Sequence, residues 1–241
     1  MSLSALMRKS RLFANLNASD LAWIETAMVR RCYSAGQVIF HMGDEGGGLY
    51  LITRGRVKVA IISRQGEEII LAILSEGEML GELSLIDGKP RSATGQALED
   101  TESYFLSRKV FLRFLRQRFE AVMEVLCVLS NRLRTTDTLL ADAHFLGLQP
   151  RLAKKILDLG LMFGSREKEK IRVNVQVTQK DLAAMVGASR ESVNKQIALL
   201  RQSRLVHFKD RRITILDPVR LAGKARVPAS DIDAMWANAY A

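Results

Sequence analysis

The sequence predicts an α+β protein with an antiparallel β domain, one long helix and a C-terminal winged helix-turn-helix. Residues 34–108 carry short apolar runs between glycine-containing turns, which is typical of an antiparallel barrel or sandwich. Residues 109–146 contain neither Gly nor Pro, and residues 178–215 suggest two short helices followed by a hairpin. With 241 residues the chain can form two domains, which we place at 1–146 and 147–241.

Short helices are expected before the β domain. A cap within residues 18–20 would start a helix that places Leu21, Ile24 and Met28 on one face. The β domain then follows as β-rich runs punctuated by glycine turns. We predict strands at residues 38–40, 49–52, 57–62 and 69–74.

The long helix, at about 109–146, carries a seam in which residues recur at alternating spacings of four and three. The seam consists of Val122, Leu126, Leu129, Leu133, Thr136, Leu140 and Ala143. This repeat is typical of helices that pair along their length, so it favours a homodimer. The alternative is a helix that lies on the core of its own domain. Gly147 and Pro150 then interrupt the pattern and predict a hinge at 146–149.

Basic residues are concentrated towards the C-terminus. Residues 1–148 contain 18 Lys and Arg against 17 Asp and Glu, a net charge of +1, whereas residues 149–241 contain 18 against 9, a net charge of +9. This asymmetry favours binding of a polyanion, nucleic acid above all. A membrane surface is disfavoured because no helix opposes its basic residues with an exposed apolar face. The alternative is a basic face that serves only solubility.

The C-terminal third contains the elements of a DNA-reading unit. Thr178 can cap a first helix, residues 187–188 form a tight turn, and Ser189 can cap a second helix over 190–202. The second helix of such a pair enters the major groove, and the hairpin at 205–215, with its basic tip, would lie on the phosphate backbone. We predict DNA contacts at Thr178, Gln179, Lys180, Ser189, Arg190, Glu191, Asn194 and Lys195.

A segment between two β-rich runs has the composition of an anion site. Gly81 permits a close backbone approach, and residues 82–85 can form one helical turn whose N–H groups face an anion. Arg91 and Ser92 can return to the same point, and Glu82 suits a ribose hydroxyl. Together these groups favour a nucleotide with a single phosphate. The alternative is an ordinary surface turn with a Glu–Arg pair.

Two motifs resemble a known family. Gly81-Glu82-Leu83-Ser84-Leu85 and Arg91-Ser92-Ala93 resemble the phosphate-binding cassette of cyclic-nucleotide-binding domains. The sequence Gly-Ala-Ser-Arg-Glu-Ser-Val-Asn-Lys at 187–195 resembles the recognition helix of the cyclic AMP receptor protein (catabolite activator) and FNR-type family of bacterial transcription regulators. The resemblance runs from about residue 12 to residue 216. It implies an N-terminal β-roll, a dimerisation helix at 109–146 and a winged helix-turn-helix that binds a palindromic DNA site.

The resemblance also implies roles for individual residues. The ribose and phosphate would be held by Gly81, Glu82, Leu83, Arg91 and Ser92. Leu71 and Ala72 would line the inside of the roll. Thr136 and Asp137 would contact the purine base of the nucleotide. Asp137 stands where the family's archetype has a serine from the partner subunit, so cyclic GMP is a second candidate after cyclic AMP. Lys195 replaces an arginine, so the DNA target is expected to differ or to be read more loosely. RNA polymerase is an implied partner, which a loop at 164–170 would contact by analogy with the family; the alternative, which we favour, is a plain surface loop.

Other functional classes find little support. No nucleophile is paired with a base, and the three His and two Cys residues lack metal-ligand spacing, so we expect neither an enzyme nor a metal site. The longest apolar run, 69–74, is too short to cross a membrane, and we expect a soluble cytoplasmic protein. Two alternatives stay open. One is a regulator of the same fold that acts without a cyclic nucleotide or senses another effector, and the other is a nucleotide-binding module whose basic tail meets an acidic protein.

Overall fold

The computed structural model describes residues 3–8, 10–14 and 16–228 of the chain. The chain divides into two compact units, Met1–Thr136 and Asp137–Ala241. The division lies inside a long helix, ten residues before the end of the predicted first domain at residue 146. The C-terminal end of that helix belongs to the second unit because Asp142 is bound to Lys154 at 2.7 Å and the Ala143 carbonyl accepts a hydrogen bond from Arg151.

The first unit is built from two antiparallel sheets and flanking helices. In the described part of the chain the sheets are four-stranded, with strand orders β1-β8-β3-β6 and β2-β7-β4-β5. The strands are β1 Val29–Tyr33, β2 Val38–Phe40, β3 Gly48–Arg54, β4 Val57–Ile62, β5 Glu68–Leu74, β6 Met79–Leu80, β7 Thr94–Ala97 and β8 Thr101–Ser107. The helices are α1 Leu3–Met7, α2 Arg11–Ala14, α3 Ala18–Ala27, α4 Glu82–Asp87, α5 Arg108–Gln117 and α6 Phe119–Phe145.

Two apolar cores position these elements. One contains Ile52, Val57, Leu74 and Leu80, which come from strands of both sheets and hold them together. The other lies between the first sheet and the helices. It includes Phe13, Leu21, Ile24, Leu49, Leu106, Phe111, Phe114, Ala121 and Val125. Burial of these large side chains drives the packing of α3, α5 and the start of α6 against the sheet. The cap of α3 is Asn17, which accepts from the Asp20 backbone N–H at 2.8 Å, rather than a residue within 18–20.

The predicted single helix over 109–146 is two helices. Arg118 has φ −138° and ψ 96°, which is extended backbone, and it separates α5 from α6. Its Nε and Nη2 both donate to the Asp20 carboxylate at 2.7 Å. These hydrogen bonds lower the pKa of Asp20 below its usual value. The residue at the break is bound by a side chain 98 positions away in the sequence, which the pattern within 109–146 does not show.

The second unit is a helical layer on an antiparallel sheet with the order β11-β12-β10-β9. Its elements after α6 are α7 Leu148–Phe163, β9 Gly164–Glu167, β10 Lys170–Val173, α8 Gln179–Val186, α9 Arg190–Gln202, β11 Val206–Lys209, β12 Arg212–Ile215 and α10 Pro218–Ala225. The core consists of Leu152, Ile156, Leu182, Val193, Ile197, Leu200, Ile213, Ile215 and Leu221. Pro150 lies in the first turn of α7, where no intrahelical partner for its nitrogen is needed.

One prediction in this unit is wrong. Residues 164–170 do not form a surface loop but most of a hairpin, in which Lys170 pairs with Glu167 and Val173 pairs with Gly164. Its turn contains no glycine, and Lys168 takes the left-handed conformation with φ 59° instead. Trp236 and Tyr240, which the sequence leaves unassigned, lie outside the described residues. Within the ranges that the structure describes, no helix is long and apolar enough to cross a membrane.

Candidate functional site

Arg91 is buried at the centre of the predicted cassette, with 4% of its surface exposed. Its Nη1 donates to the Gly81 carbonyl at 2.7 Å and to Ser84 Oγ at 2.9 Å, and its Nη2 donates to the Gly48 carbonyl at 2.6 Å. The guanidinium carbon lies 4.3 Å from the centre of the Phe40 ring. Burial lowers the pKa of Arg91 below its usual value, against the opposite effect of nearby acidic groups. The group stays a cation at neutral pH, since arginine is not deprotonated in proteins.

Glycines make this close packing of Arg91 possible. Gly81 has φ 87° and caps α4, and a Cβ there would overlap Arg91 Nη1. A Cβ on Gly46 would overlap the Cβ of Ser84. The cassette therefore needs glycine at both positions for steric reasons, and the predicted helical turn at 82–85 forms as the beginning of α4.

Glu82 is also buried, with 4% of its surface exposed, and it faces the long helix. Its Oε1 accepts a hydrogen bond from Arg132 Nη1 at 2.5 Å, while Arg132 Nη2 donates to the Met79 carbonyl at 2.7 Å. Arg132 is not among the site residues that the sequence predicts. The only sign of its role in the sequence is its position four residues before Thr136, on the same face of the helix. No neighbouring residue in the sequence indicates that it pairs with Glu82.

Two buried polar atoms of the cassette have no hydrogen-bond partner in the described part of the chain. They are Arg91 Nε and Glu82 Oε2. Unpaired buried donors and acceptors are costly, about 1–3 kcal/mol each, so they are uncommon unless water or a ligand completes them. Burial lowers the pKa of Arg91, and the two side chains are close enough for the charge of Glu82 to oppose part of that effect. A ligand that carries an acceptor for Arg91 Nε and a donor for Glu82 Oε2 would satisfy both atoms.

The other predicted ligand residues are more exposed than Arg91 and Glu82. Leu71 and Ala72 are half-buried on β5, and Ala72 packs against the core between the sheets. Leu83 is 42% exposed and Ser92 is exposed. On α6, Thr136 and Asp137 are both exposed. The hydroxyl of Thr136 donates to the Arg132 carbonyl at 3.0 Å.

The second candidate site is the helix pair α8–α9. Thr178 Oγ accepts from the Asp181 backbone N–H, and the Asp181 carboxylate accepts from the Thr178 backbone N–H at 2.8 Å, which forms a capping box. Gly187, with φ 60°, ends α8, and Ser189 caps α9 by accepting from Ser192. These boundaries match those predicted from the sequence.

Helix α9 buries one face and presents another. Val193, Ile197 and Leu200 are buried, as predicted. Among the predicted DNA-contacting residues, Lys180, Ser189, Arg190, Glu191 and Lys195 are exposed, whereas Thr178, Gln179 and Asn194 are half-buried. The predicted wing is the hairpin β11–β12, whose turn residues Asp210 and Arg211 have φ 52° and 61°.

Comparison with known proteins identifies both units. The family of cyclic nucleotide-binding domains matches residues 30–118, and the family of Crp-like helix-turn-helix domains matches residues 150–223. A CRP-like cAMP-activated global transcriptional regulator of Mycobacterium tuberculosis is 31% identical over 221 residues, which cover 92% of this chain and 99% of that protein. The chain belongs to the CRP family of transcription regulators.

Further members of the CRP family are similar over most of their length. The cyclic AMP receptor protein of Thermus thermophilus is 32% identical over 202 residues, covering 84% of this chain and 90% of that protein. The crystal structure of a CRP-family transcriptional regulator from Thermus thermophilus is 26% identical and superposes with a TM-score of 0.70, covering 83% of this chain and 98% of that one. The predicted fold class is confirmed, as are the predictions of cyclic nucleotide-binding and DNA-binding domains.

Helix α6 of this CRP-family chain has two distinct parts. Near its start, Ala121 and Val125 are buried in the core of the first unit, and Leu129 packs against them. Further along the predicted seam, Leu133 is 63% and Leu140 is 71% exposed. The start of α6 therefore lies on the core of its own unit, as the alternative predicts, and pairing along the exposed part stays a prediction. Exposed leucines at a spacing of seven are typical of a helix that pairs with another.

Proposed function

We propose that this CRP-family regulator binds a cyclic nucleotide in the Arg91 cassette and, as a homodimer, binds DNA through α9 in response. The observation that carries the proposal is the pair of buried, unpartnered atoms Arg91 Nε and Glu82 Oε2. A donor on a cation and an acceptor on a carboxylate complement a phosphate and a ribose hydroxyl, the two polar parts of a cyclic nucleotide.

Cyclic AMP is the first candidate effector and cyclic GMP the second. Relatives from Mycobacterium tuberculosis and Thermus thermophilus are named as cAMP-activated or cyclic AMP receptor proteins, which supports the adenine nucleotide. Thr136 and Asp137 would meet the purine, together with Leu71 and Ala72. The carboxylate of Asp137 can accept from a purine amino group, which keeps guanine as an alternative. Gly81, Leu83 and Ser92 would complete the contacts to phosphate and ribose.

The homodimer would form along the exposed part of α6. Leu126, Leu133 and Leu140 are 50%, 63% and 71% exposed and recur every seven residues, so a second copy of the helix can cover them. A two-fold axis along α6 would place two copies of α9 about one DNA turn, roughly 34 Å, apart. This arrangement requires a palindromic DNA site.

DNA contacts would come from the outward side chains of α9 and from the wing. Arg190 and Glu191 would read base edges, while Asn194 and Lys195 would extend the contact along the groove. Thr178, Gln179, Lys180 and Ser189 would bind the phosphate backbone at the helix starts. The chain would then act in the cytoplasm by binding rather than by catalysis, with RNA polymerase as a further partner.

The effector can act only through a higher affinity for the DNA-competent arrangement of the dimer. Arg132 would couple nucleotide binding to α6, because its ion pair with Glu82 links the cassette to that helix. A nucleotide that binds Glu82 would alter the environment of this ion pair.

Calorimetric titration with cyclic AMP and cyclic GMP tests the proposal. We expect binding by the wild type and a loss of about 100-fold for Arg91→Ala, because a bidentate, charge-assisted contact to phosphate is lost. Arg64→Ala, which removes an exposed arginine from the β4–β5 turn, serves as the control and should bind normally. Binding that survives Arg91→Ala would contradict the proposed site.

A second function is favoured by one observation. Three acceptors of the protein already bind the Arg91 guanidinium, so the cassette is partly satisfied without a ligand. A regulator of the same fold that binds DNA without a cyclic nucleotide, or that senses another effector, would fit this arrangement. It would produce an electrophoretic shift of DNA that does not depend on added nucleotide.

A further inference from the structure

Some hydrogen-bond donors of the Arg91 guanidinium are bound to the protein, and the others are not. An arginine side chain has five N–H donors in one plane. Both donors of Nη1 are used by the Gly81 carbonyl and Ser84 Oγ, and one donor of Nη2 is used by the Gly48 carbonyl. The Nε donor has no partner among the residues that the structure describes. Nε and Nη2 lie along one edge of the guanidinium, and the two donors left over belong to these atoms.

We propose that Ser84 is a positioning residue for the phosphate: its hydroxyl holds Nη1 so that Arg91 presents its Nε–Nη2 edge to the ligand. This inference rests on the proposed cyclic-nucleotide function and adds a residue to it. Ser84 is 2% exposed, and its Oγ also lies 3.4 Å from the Gly81 carbonyl, to which it donates. The hydroxyl therefore directs a lone pair, rather than its proton, at the arginine.

The surroundings of Ser84 keep this arrangement from relaxing. Gly46 lies so close that a Cβ there would overlap Ser84, which leaves the serine no room to move in that direction. On the other side, the Phe40 ring covers the guanidinium at 4.3 Å. Three acceptors and one aromatic face thus fix both the position and the tilt of the Arg91 plane.

A fixed edge has a stereochemical consequence. The two exocyclic oxygens of a cyclic phosphate point in different directions, and only one of them can face a given edge of the guanidinium at bonding distance. Replacing one or the other oxygen with sulfur gives the Rp and Sp phosphorothioates, which differ only in which of the two exocyclic positions carries the sulfur. The wild type should therefore discriminate between the two diastereomers, and the discrimination should depend on Ser84.

The test measures Kd for cyclic AMP and for both phosphorothioates by calorimetry in the wild type, S84A and S84C. Loss of one hydrogen bond to a charged group should weaken cyclic AMP binding about tenfold in S84A. S84C should behave similarly because a thiol is a weak acceptor, and it keeps a polar atom at the γ position of the side chain. Both variants should reduce the preference between diastereomers. In an R91K background, S84A should change the affinity less than twofold, since the planar group it holds is gone.

Ser103→Ala is the matched control. Ser103 is fully buried in the same unit, and its Oγ has no hydrogen-bond partner within the described ranges, so its removal tests the loss of a buried hydroxyl alone. We expect wild-type affinity and preference. If S84A does not fold, as judged by its thermal unfolding, S84C provides the same comparison.

Three results would overturn the inference. Wild-type affinity in S84A and S84C would show that the hydroxyl is not needed. A lower affinity with an unchanged diastereomer preference, or an equal loss in Ser103→Ala, would indicate a general loosening of the fold. If the wild type binds neither cyclic nucleotide, the proposed function itself fails, and this inference fails with it.

Discussion

Glu82 and Arg132, fifty residues apart in the sequence, form an ion pair between the cassette and helix α6. The carboxylate is almost fully buried, whereas the arginine side chain is 36% exposed. A buried charge that loses its partner is destabilising, so the pair fixes α4 to α6 more firmly than a surface ion pair would.

Replacing Arg132 with Ala should destabilise the first unit and weaken the response to nucleotide. Because Glu82 would remain buried without its cation, we expect a loss of about 1–3 kcal/mol in the free energy of unfolding. The increase in DNA affinity on adding cyclic AMP should shrink more than the affinity for cyclic AMP itself. Urea denaturation and DNA-binding anisotropy measure the two effects. Asn131→Ala, at the exposed neighbouring position, should leave both unchanged.

The exposed part of α6 should control the oligomeric state. Leu133→Glu places a charge in the middle of the apolar seam, where the leucine is 63% exposed in the single chain. Analytical ultracentrifugation should show a dimer for the wild type and a monomer for this variant, because a buried, unpaired charge disfavours pairing. Thr135→Glu adds the same charge on the opposite side of the helix. A dimer in the Leu133→Glu variant would contradict the pairing of α6.

The ion pair of Asp20 and Arg118 should give a pH-dependent contribution to stability. Hydrogen bonds from Arg118 lower the pKa of Asp20, so the carboxylate is stabilising above its unfolded pKa, and this stabilisation is lost as the pH falls through the lower folded value. Asp20→Asn should therefore lower the urea midpoint at pH 7. The difference from the wild type should begin to shrink as the pH falls below about 4, and it should disappear only below the lowered folded pKa of Asp20. A constant difference down to pH 2 would rule out the ionised carboxylate as its cause. Glu67→Gln, in an exposed turn, should have no such effect.

Substitutions in α9 and in the wing should affect DNA binding differently. Arg190 is exposed in the first turn of α9, so Arg190→Ala should cost about 1–3 kcal/mol and relax the preference at one base position. Arg212, exposed at the start of β12, should contact phosphate. Arg212→Ala should weaken binding to all sequences alike and reduce the slope of log K against log salt by about one. Selection from a random DNA pool, followed by titrations at several salt concentrations, separates the two patterns. A change in sequence preference for Arg212→Ala would refute its assignment to the backbone.

The sequence predicts the elements of this protein best where the signals are local. The caps Thr178 and Ser189 and the turn at Gly187 set both ends of α8 and the start of α9, and the structure confirms each of them. The apolar residues that recur at a helical period likewise predict the buried face of α9 correctly. Such features depend on residues within one or two turns of each other.

Features that depend on distant residues could not be predicted in this way. Arg118, at the break between α5 and α6, binds Asp20, which is 98 residues away, and the partner of Glu82 is 50 residues away. The β9–β10 hairpin lacked a glycine signal because Lys168 adopts a left-handed conformation that few residues other than glycine favour. For the cassette, the composition predicted Gly81, Glu82 and Arg91, but the hydrogen bond of Arg91 to Ser84 depends on the fold.

The most direct test of cyclic-nucleotide control is the affinity for a selected palindromic DNA site, measured by fluorescence anisotropy with and without cyclic AMP. We predict that cyclic AMP raises the affinity of the wild type at least about tenfold, a coupling of roughly 1.4 kcal/mol, and that Arg91→Lys abolishes this increase. Equal DNA affinity in the presence and absence of cyclic AMP and cyclic GMP would contradict the account.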